Sequence, residues 1–258
     1  MSRFPLPWYT GFNYNDDLMS IKGPICLFLL LLLTAREVAA QASGDTDANR
    51  SVWFSYRDLY QSMVRFEKYG KPKQFIQNQL EIIPKDKTVT LDGLRLTLTG
   101  KSMHLNLPVD AVGRAVFPLL KAAYDENAEL QVNRPANSIG MEPVTSIVTR
   151  ADGIYESADL RSACDQALQY LRYVSNQSYR GKQCAGVKFA YPRDATDVIV
   201  KLRTPDRGDS RLTIAEGAAF ESDATSKFKI VIYRFSEWPD KGQIITNNTP
   251  LAIAALFE

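Results

Sequence analysis

His104 is the only imidazole in this 258-residue chain. General acid–base catalysis and metal binding use that side chain more than any other. Its neighbours Met103 and Leu105 belong to the opposite face of an alternating segment, so the pattern turns His104 to solvent beside Asn106. A Ser-His-Asp triad would have to use this histidine, and no Gly-x-Ser-x-Gly elbow is present to supply the serine. Cys26 lies within an apolar leader, which leaves Cys164 and Cys184 as an even pair. Two cysteines do not make a four-ligand zinc site. In an oxidising compartment they form a disulfide. Histidine-free glycoside hydrolysis needs two carboxylates. The candidates are Asp110, Asp125, Glu126 and Glu129, then Glu237 and Asp240. Most sit in turns, where Asp and Glu are common for conformational reasons. Asp206-Arg207-Gly208-Asp209 contains an Arg-Gly-Asp tripeptide and reads as a hairpin turn. Glycines are scattered and form no phosphate cradle. No catalytic residue, metal site or cofactor is therefore expected.

The aromatic side chains are the better candidates for recognition. Tyr233, Phe235 and Trp238 cluster around Arg234 and Glu237, with Trp238 at the shoulder of a Pro-Asp-Lys-Gly turn. Tyr124, before Asp125-Glu126-Asn127, holds the matching place 114 residues earlier. An aromatic ring beside a turn can stack on a sugar or grip a peptide, or it can seal the end of a β core. Tyr124, Tyr233, Phe235 and Trp238 are the candidate binding residues.

Two amphipathic helices and a series of strands must position them. Tyr56 to Lys68 carries Tyr56, Leu59, Tyr60, Met63, Val64 and Phe66 mostly at spacings of three and four, with Ser55 as cap and Gly70 and Pro72 as stops. The period then becomes two. Strands are expected at Phe75 to Ile83, at a Leu94–Leu98 and Met103–Leu107 hairpin, at Arg114 to Leu119, at Glu129 to Asn133 and at Ile147 to Arg150. Leu119 to Tyr124 suits a short helical turn. The same order returns after Ala151-Asp152-Gly153. A helix at Asp159 to Val174, with Ser157 as cap, precedes strands at Gly186 to Tyr191, Val198 to Leu202, Leu212 to Ile214, Phe228 to Phe235 and Gln243 to Thr246.

This order suggests an internal duplication. Asp58-Leu59 matches Asp159-Leu160 at an offset of 101, and Pro84-Lys85-Asp86 matches Pro192-Arg193-Asp194 at 108. Leu130 and Asn133 match Ile244 and Asn247 at 114. The expected fold is α+β and predominantly antiparallel β. Residues 51–147 and 153–258 would form two related modules, each one helix followed by five or six strands in a sheet or sandwich, the second with a disulfide.

Residues 19–42 read as a secretory signal peptide: Lys22, an apolar stretch from Ile25 to Ala35, then Ala40-Gln41-Ala42. The apolar stretch is about half of the roughly 20 residues that span a bilayer. Residues 1–18 carry Asp16 and Asp17 ahead of it and read as an artefactual extension, while 43–50 reads as a flexible mature start. Removing 1–42 takes away as many basic as acidic residues, so the net charge stays +2. That balance gives no case for nucleic acid. No transmembrane segment is expected after cleavage.

Leu105 to Leu120, Tyr124 to Pro135 and Ala158 to Leu168 resemble exported proteins of Gram-negative bacteria that have no assigned function. The resemblance implies a periplasmic or secreted location and carries no active site. The leading expectation is a non-enzymatic exported protein that binds another envelope protein or a cell-envelope glycan. The alternatives are a two-carboxylate hydrolase of envelope glycans and a structural envelope component. A solvent-facing His104 has a direct consequence: His104→Ala should leave binding, measured by titration calorimetry, within about threefold of the parent. A large loss with the fold intact would contradict the non-enzymatic reading.

Overall fold

The first helix starts where its cap places it. Ser55 Oγ accepts a hydrogen bond from the Asp58 N–H at 3.4 Å, satisfying one of the free donors at the helix end. α1 (Tyr56–Lys68) follows and buries Tyr56, Leu59, Met63 and Phe66. The computed structural model describes residues 51–258 except 86, 136, 207, 223–226 and 239. The expected leader, the upstream extension, Cys26 and the polar start at 43–50 lie outside the described residues.

The first half continues as β1 (Ser51–Ser55) before α1, then β2 (Ile76–Pro84), β3 (Leu96–Thr99), β4 (His104–Leu107), β5 (Arg114–Ala115), α2 (Lys121–Asp125), β6 (Glu129–Pro135) and β7 (Ile139–Ile147). The second half has β8 (Ile154–Glu156), α3 (Ser157–Val174), α4 (Asn176–Tyr179), β9 (Cys184–Tyr191), β10 (Val200–Thr204) and β11 (Gly208–Arg211). It ends with β12 (Ile214–Gly217), β13 (Phe228–Arg234), β14 (Gln243–Thr246) and β15 (Ala252–Phe257). The molecule is thus α+β, rich in antiparallel β structure.

Two four-stranded sheets have orders β1-β6-β3-β4 and β8-β14-β10-β11. A seven-stranded sheet, β12-β13-β9-β15-β7-β2-β5, runs through both halves. Its halves join where β15 and β7 pair at Ile253 and Ile147. The two small sheets use the same asparagine device. Asn133 Oδ1 accepts from Arg95 N–H at 2.7 Å and its Nδ2 donates to Gly93 O at 3.0 Å. Asn247 Oδ1 accepts from Ile199 N–H at 2.7 Å and its Nδ2 donates to Asp197 O at 2.6 Å.

One core packs α1 between β2 and the first small sheet through Tyr56, Met63, Leu80, Leu98 and Leu130. The other packs α3 against β9 and the second small sheet through Leu160, Phe189, Leu202, Tyr233 and Ile244. Phe66, Tyr69, Ala167 and Tyr170 join the two helices. Tyr56 is fully buried. Its hydroxyl donates to Pro118 O at 2.6 Å and accepts from Leu120 N–H at 2.8 Å, which ties α1 to the chain entering α2.

Several local expectations shift. Ser157 is the first residue of α3 and makes no side-chain cap; Glu156 holds the cap position. Ser157 Oγ is instead buried and accepts from the Tyr233 hydroxyl at 3.1 Å. The strand expected over Arg114 to Leu119 is only Arg114–Ala115, because Phe117 turns inward to stack on Tyr56 at 4.9 Å. The sequence places a strand at Ile147 to Arg150, yet Ile147 is the last residue of β7.

Cys164 and Cys184 are disulfide-bonded with their Cα atoms 5.9 Å apart. The bridge fastens the middle of α3 to the first residue of β9. Closing a loop of this length contributes about 3 kcal/mol in the chain-entropy model. The Cys164→Ala/Cys184→Ala variant should therefore lose about 2–4 kcal/mol of unfolding free energy in urea titrations. An unchanged midpoint would mean that the core alone fixes this contact.

Candidate functional site

β13 leaves the core at Arg234 and the chain turns through residues 235–242 into β14. Tyr233 is fully buried beneath this turn, and Phe235 meets it edge-on at 5.7 Å. Both belong to the second core, and Trp238 packs against the same core with part of its ring exposed. Arg161 of α3 holds the turn from below. Its guanidinium stacks over the Phe235 ring at 4.5 Å and pairs with Asp240 at 3.0 Å. It also donates to the carbonyls of Phe235 at 3.0 Å and Trp238 at 3.2 Å. A cation clamped between a ring face and two carbonyls fixes the backbone that carries Trp238.

Trp238 and Glu237 form the wall between two concavities. One, of about 680 Å³, is lined by Thr204, Pro205, Asp206, Ser236, Glu237, Trp238, Asp240 and Lys241. The other, of about 270 Å³, includes Arg211, Thr213, Ile230 and Ile232. The larger one therefore joins the aromatic turn to Thr204, Pro205 and Asp206 at the end of β10. Arg207 lies outside the described residues. Asp209 is not a free carboxylate: Arg203 donates to it at 2.8 Å, and that hydrogen bond lowers its pKa. The groove combines an indole, three carboxylates from Asp206, Glu237 and Asp240, two hydroxyl residues in Thr204 and Ser236, and the Lys241 ammonium. Such a set suits a polyhydroxylated ligand, whose C–H face stacks on the ring and whose hydroxyls donate to carboxylates.

Tyr124 stands elsewhere. It packs in the first core, 5.0 Å from the Tyr60 ring, with the Arg57 guanidinium 5.3 Å from its centroid. Arg57 also donates to Tyr124 O at 2.7 Å and Asp125 O at 3.0 Å. Each half thus has a helix arginine gripping an aromatic segment, the end of α2 in the first and the turn after β13 in the second, and the structure brings Tyr233, Phe235 and Trp238 together while leaving Tyr124 apart.

The junction of the halves has its own cavity, of about 350 Å³, beside the Ile147–Ile253 pair. It is lined by residues 142–145 of β7 and 254–257 of β15, with Tyr179, Lys188, Glu221 and Ser222. Burial lowers the pKa of Lys188, and Glu221 opposes that shift. Burial raises that of Tyr179, reinforced by Glu221 and Glu142. None of the four aromatic candidates lines this cavity.

Among the described residues, no group of three or more His, Cys, Asp or Glu side chains gathers as a metal site. His104 is exposed, and its Nδ1 lies 3.2 Å from Thr99 Oγ1. No helix among the described residues is long and apolar enough to cross a membrane. The residues missed from sequence are Arg161 and the hairpin-tip side chains. Arg161 lies on the helix flank, and its turn partner Phe235 is 74 positions away, so no local pattern marks it. The chain matches no family model, no curated protein and no solved structure. Arg161→Leu should lower unfolding free energy by about 1–3 kcal/mol in denaturant titration, because two turn carbonyls lose their donor. No change would mean that the turn holds itself.

Proposed function

We propose that this protein is an exported binding protein that takes a cell-envelope glycan in the groove beside Trp238. The observation that carries the reading is the partly exposed Trp238 ring on the wall of a groove of about 680 Å³ whose rim supplies Asp206, Glu237 and Asp240. A disulfide fits an oxidising compartment and supports the exported location. We also read the halves as products of a duplication. The matching orders of the small sheets and the paired Asn133 and Asn247 bonds support that origin. In this reading the second copy kept an open aromatic groove, while the first packed Tyr124 onto Tyr60 and Arg57.

Recognition here needs no bond making. Asp240 pairs with Arg161 at 3.0 Å, and Glu237 lies 3.8 Å from Arg234. Carboxylates held in this way are oriented to accept hydrogen bonds from sugar hydroxyls. Calorimetry with soluble peptidoglycan fragments tests the proposal. The fragments should bind, and Trp238→Ala should weaken them roughly tenfold or more without unfolding the protein. Equal affinity for parent and variant would overturn the groove as the site. Release of new reducing ends during the titration would favour the hydrolase instead.

A further inference from the structure

Lys188 lies in the middle of β9, an inner strand of the seven-stranded sheet, where a charged side chain is ordinarily paired. Its cross-strand neighbours are Ile232 of β13 and Ala254 of β15. Ala190, two residues along on the same face, packs in a cluster with Ala254, Phe220 and Ile230. Lys188 itself is half-buried and lines the junction cavity of about 350 Å³. Among the described residues, its ammonium forms no ion pair and no hydrogen bond.

The same cavity gathers Glu142, Glu221 and Tyr179. Both carboxylates are exposed, and neither forms an ion pair among the described residues. Tyr179 is half-buried, with its ring edge-on to Phe257 at 5.8 Å. These groups share one field: Glu221 acts on the ionisation of both Lys188 and Tyr179, and Glu142 on that of Tyr179. Burial favours the neutral amine of Lys188 and keeps the Tyr179 phenol protonated. A neutral amine is a nucleophile, a carboxylate beside it moves protons, and a phenol donates a hydrogen bond. Two carboxylates against a single lysine disfavour an anionic ligand. The matching ligand is a small neutral molecule with an electrophilic carbonyl carbon.

We infer that Lys188 condenses with a small neutral aldehyde in the junction cavity, with Glu221 carrying the protons. The amine nitrogen bonds to the carbonyl carbon, and the π pair of the C=O bond passes to oxygen, which takes a proton. The resulting hydroxyl takes a second proton and leaves as water while the nitrogen lone pair closes the C=N bond. The two protons lost by nitrogen are those that leave with the oxygen, so amine and aldehyde give an imine and water with no change of oxidation state. The site is independent of the Trp238 groove, none of whose lining residues it shares. Trapping with sodium cyanoborohydride near neutral pH, followed by peptide mass mapping of each lysine, tests it. With glyceraldehyde, Lys188 should be alkylated about tenfold or more faster than the exposed Lys71. With the anionic aldehyde glyoxylate, Lys188 should react no faster than Lys71. Glu221→Gln should raise the glyoxylate rate at Lys188, relative to Lys71, about threefold or more by removing a repelling charge. Glyceraldehyde labelling of Lys188 no faster than that of Lys71 would overturn the inference. So would equal preference of Lys188 for glyoxylate and glyceraldehyde, or a Glu221→Gln variant that labels like the parent.

Discussion

The Ile147–Ile253 pair, between β7 and β15, is the point at which the two halves become one sheet. β7 is paired with β2 along its whole length and β15 with β9, so each half arrives at this seam already built. The remaining joints reinforce it from both faces. On the helix side, Phe75 N–H donates to Gln166 Oε1 at 3.0 Å, and Phe66 meets Tyr170 edge-on at 5.0 Å. On the other face, Arg114 is buried and donates to Leu251 O at 2.7 Å and Ser146 Oγ at 3.0 Å. Ser222 donates to the buried Glu81 carboxylate at 2.5 Å. Buried charged groups of this kind hold register only when their hydrogen bonds are met, so the seam tolerates little sliding.

That fixed seam orients α3, and α3 lies against the aromatic turn at one end and lines a concavity near the other. Arg161 in its second turn reaches the aromatic turn after β13, while Gln169, Arg172 and Tyr173 near its end line a concavity together with Tyr69 and Lys71. The disulfide at Cys164 ties the helix to β9 between these two places. Small movements of α3 would therefore disturb both surfaces. The link between the halves is also constrained. Arg150 and Asp152 pair at 2.6 Å, the Asp152 carboxyl is held at about 2 by that hydrogen bond, and Gly153 takes a φ of +67°. A Cβ at Gly153 would lie 2.6 Å from Thr246 O, so only glycine fits this turn comfortably.

The elements most legible in the sequence are those specified by their own residues. Ser55 and the stop at Gly70 and Pro72 bound α1 closely, and β14 occupies the Gln243 to Thr246 stretch expected of it. β7 and β15 escaped notice, although they form the seam, because their partners specify them. β7 contains Gly140 and Pro143, residues that ordinarily argue against an inner strand. Pro143 is accommodated opposite Leu80, on the stretch of β7 that lies along the cavity rather than against β15. β15 is rich in alanine, which signals a strand poorly. Leu212 to Ile214, read as one strand, spans the break between β11 and β12 because the chain changes sheets there. The aromatic cluster of Tyr233, Phe235 and Trp238 is visible from the spacing of these residues in the sequence. Its division of labour is not, since burial of Tyr233 and exposure of Trp238 depend on where α3 lies.

Under the proposed function, Trp238 is the ring that meets the glycan in the groove beside it. Its indole N–H resonance reports on that contact directly, and Trp53, which is 60% exposed on the other half, serves as an internal reference. Nuclear magnetic resonance titration of ¹⁵N-tryptophan-labelled protein with soluble peptidoglycan fragments should move the Trp238 indole signal and leave that of Trp53 in place. Saturable shifts elsewhere with an unmoved Trp238 signal would contradict the account.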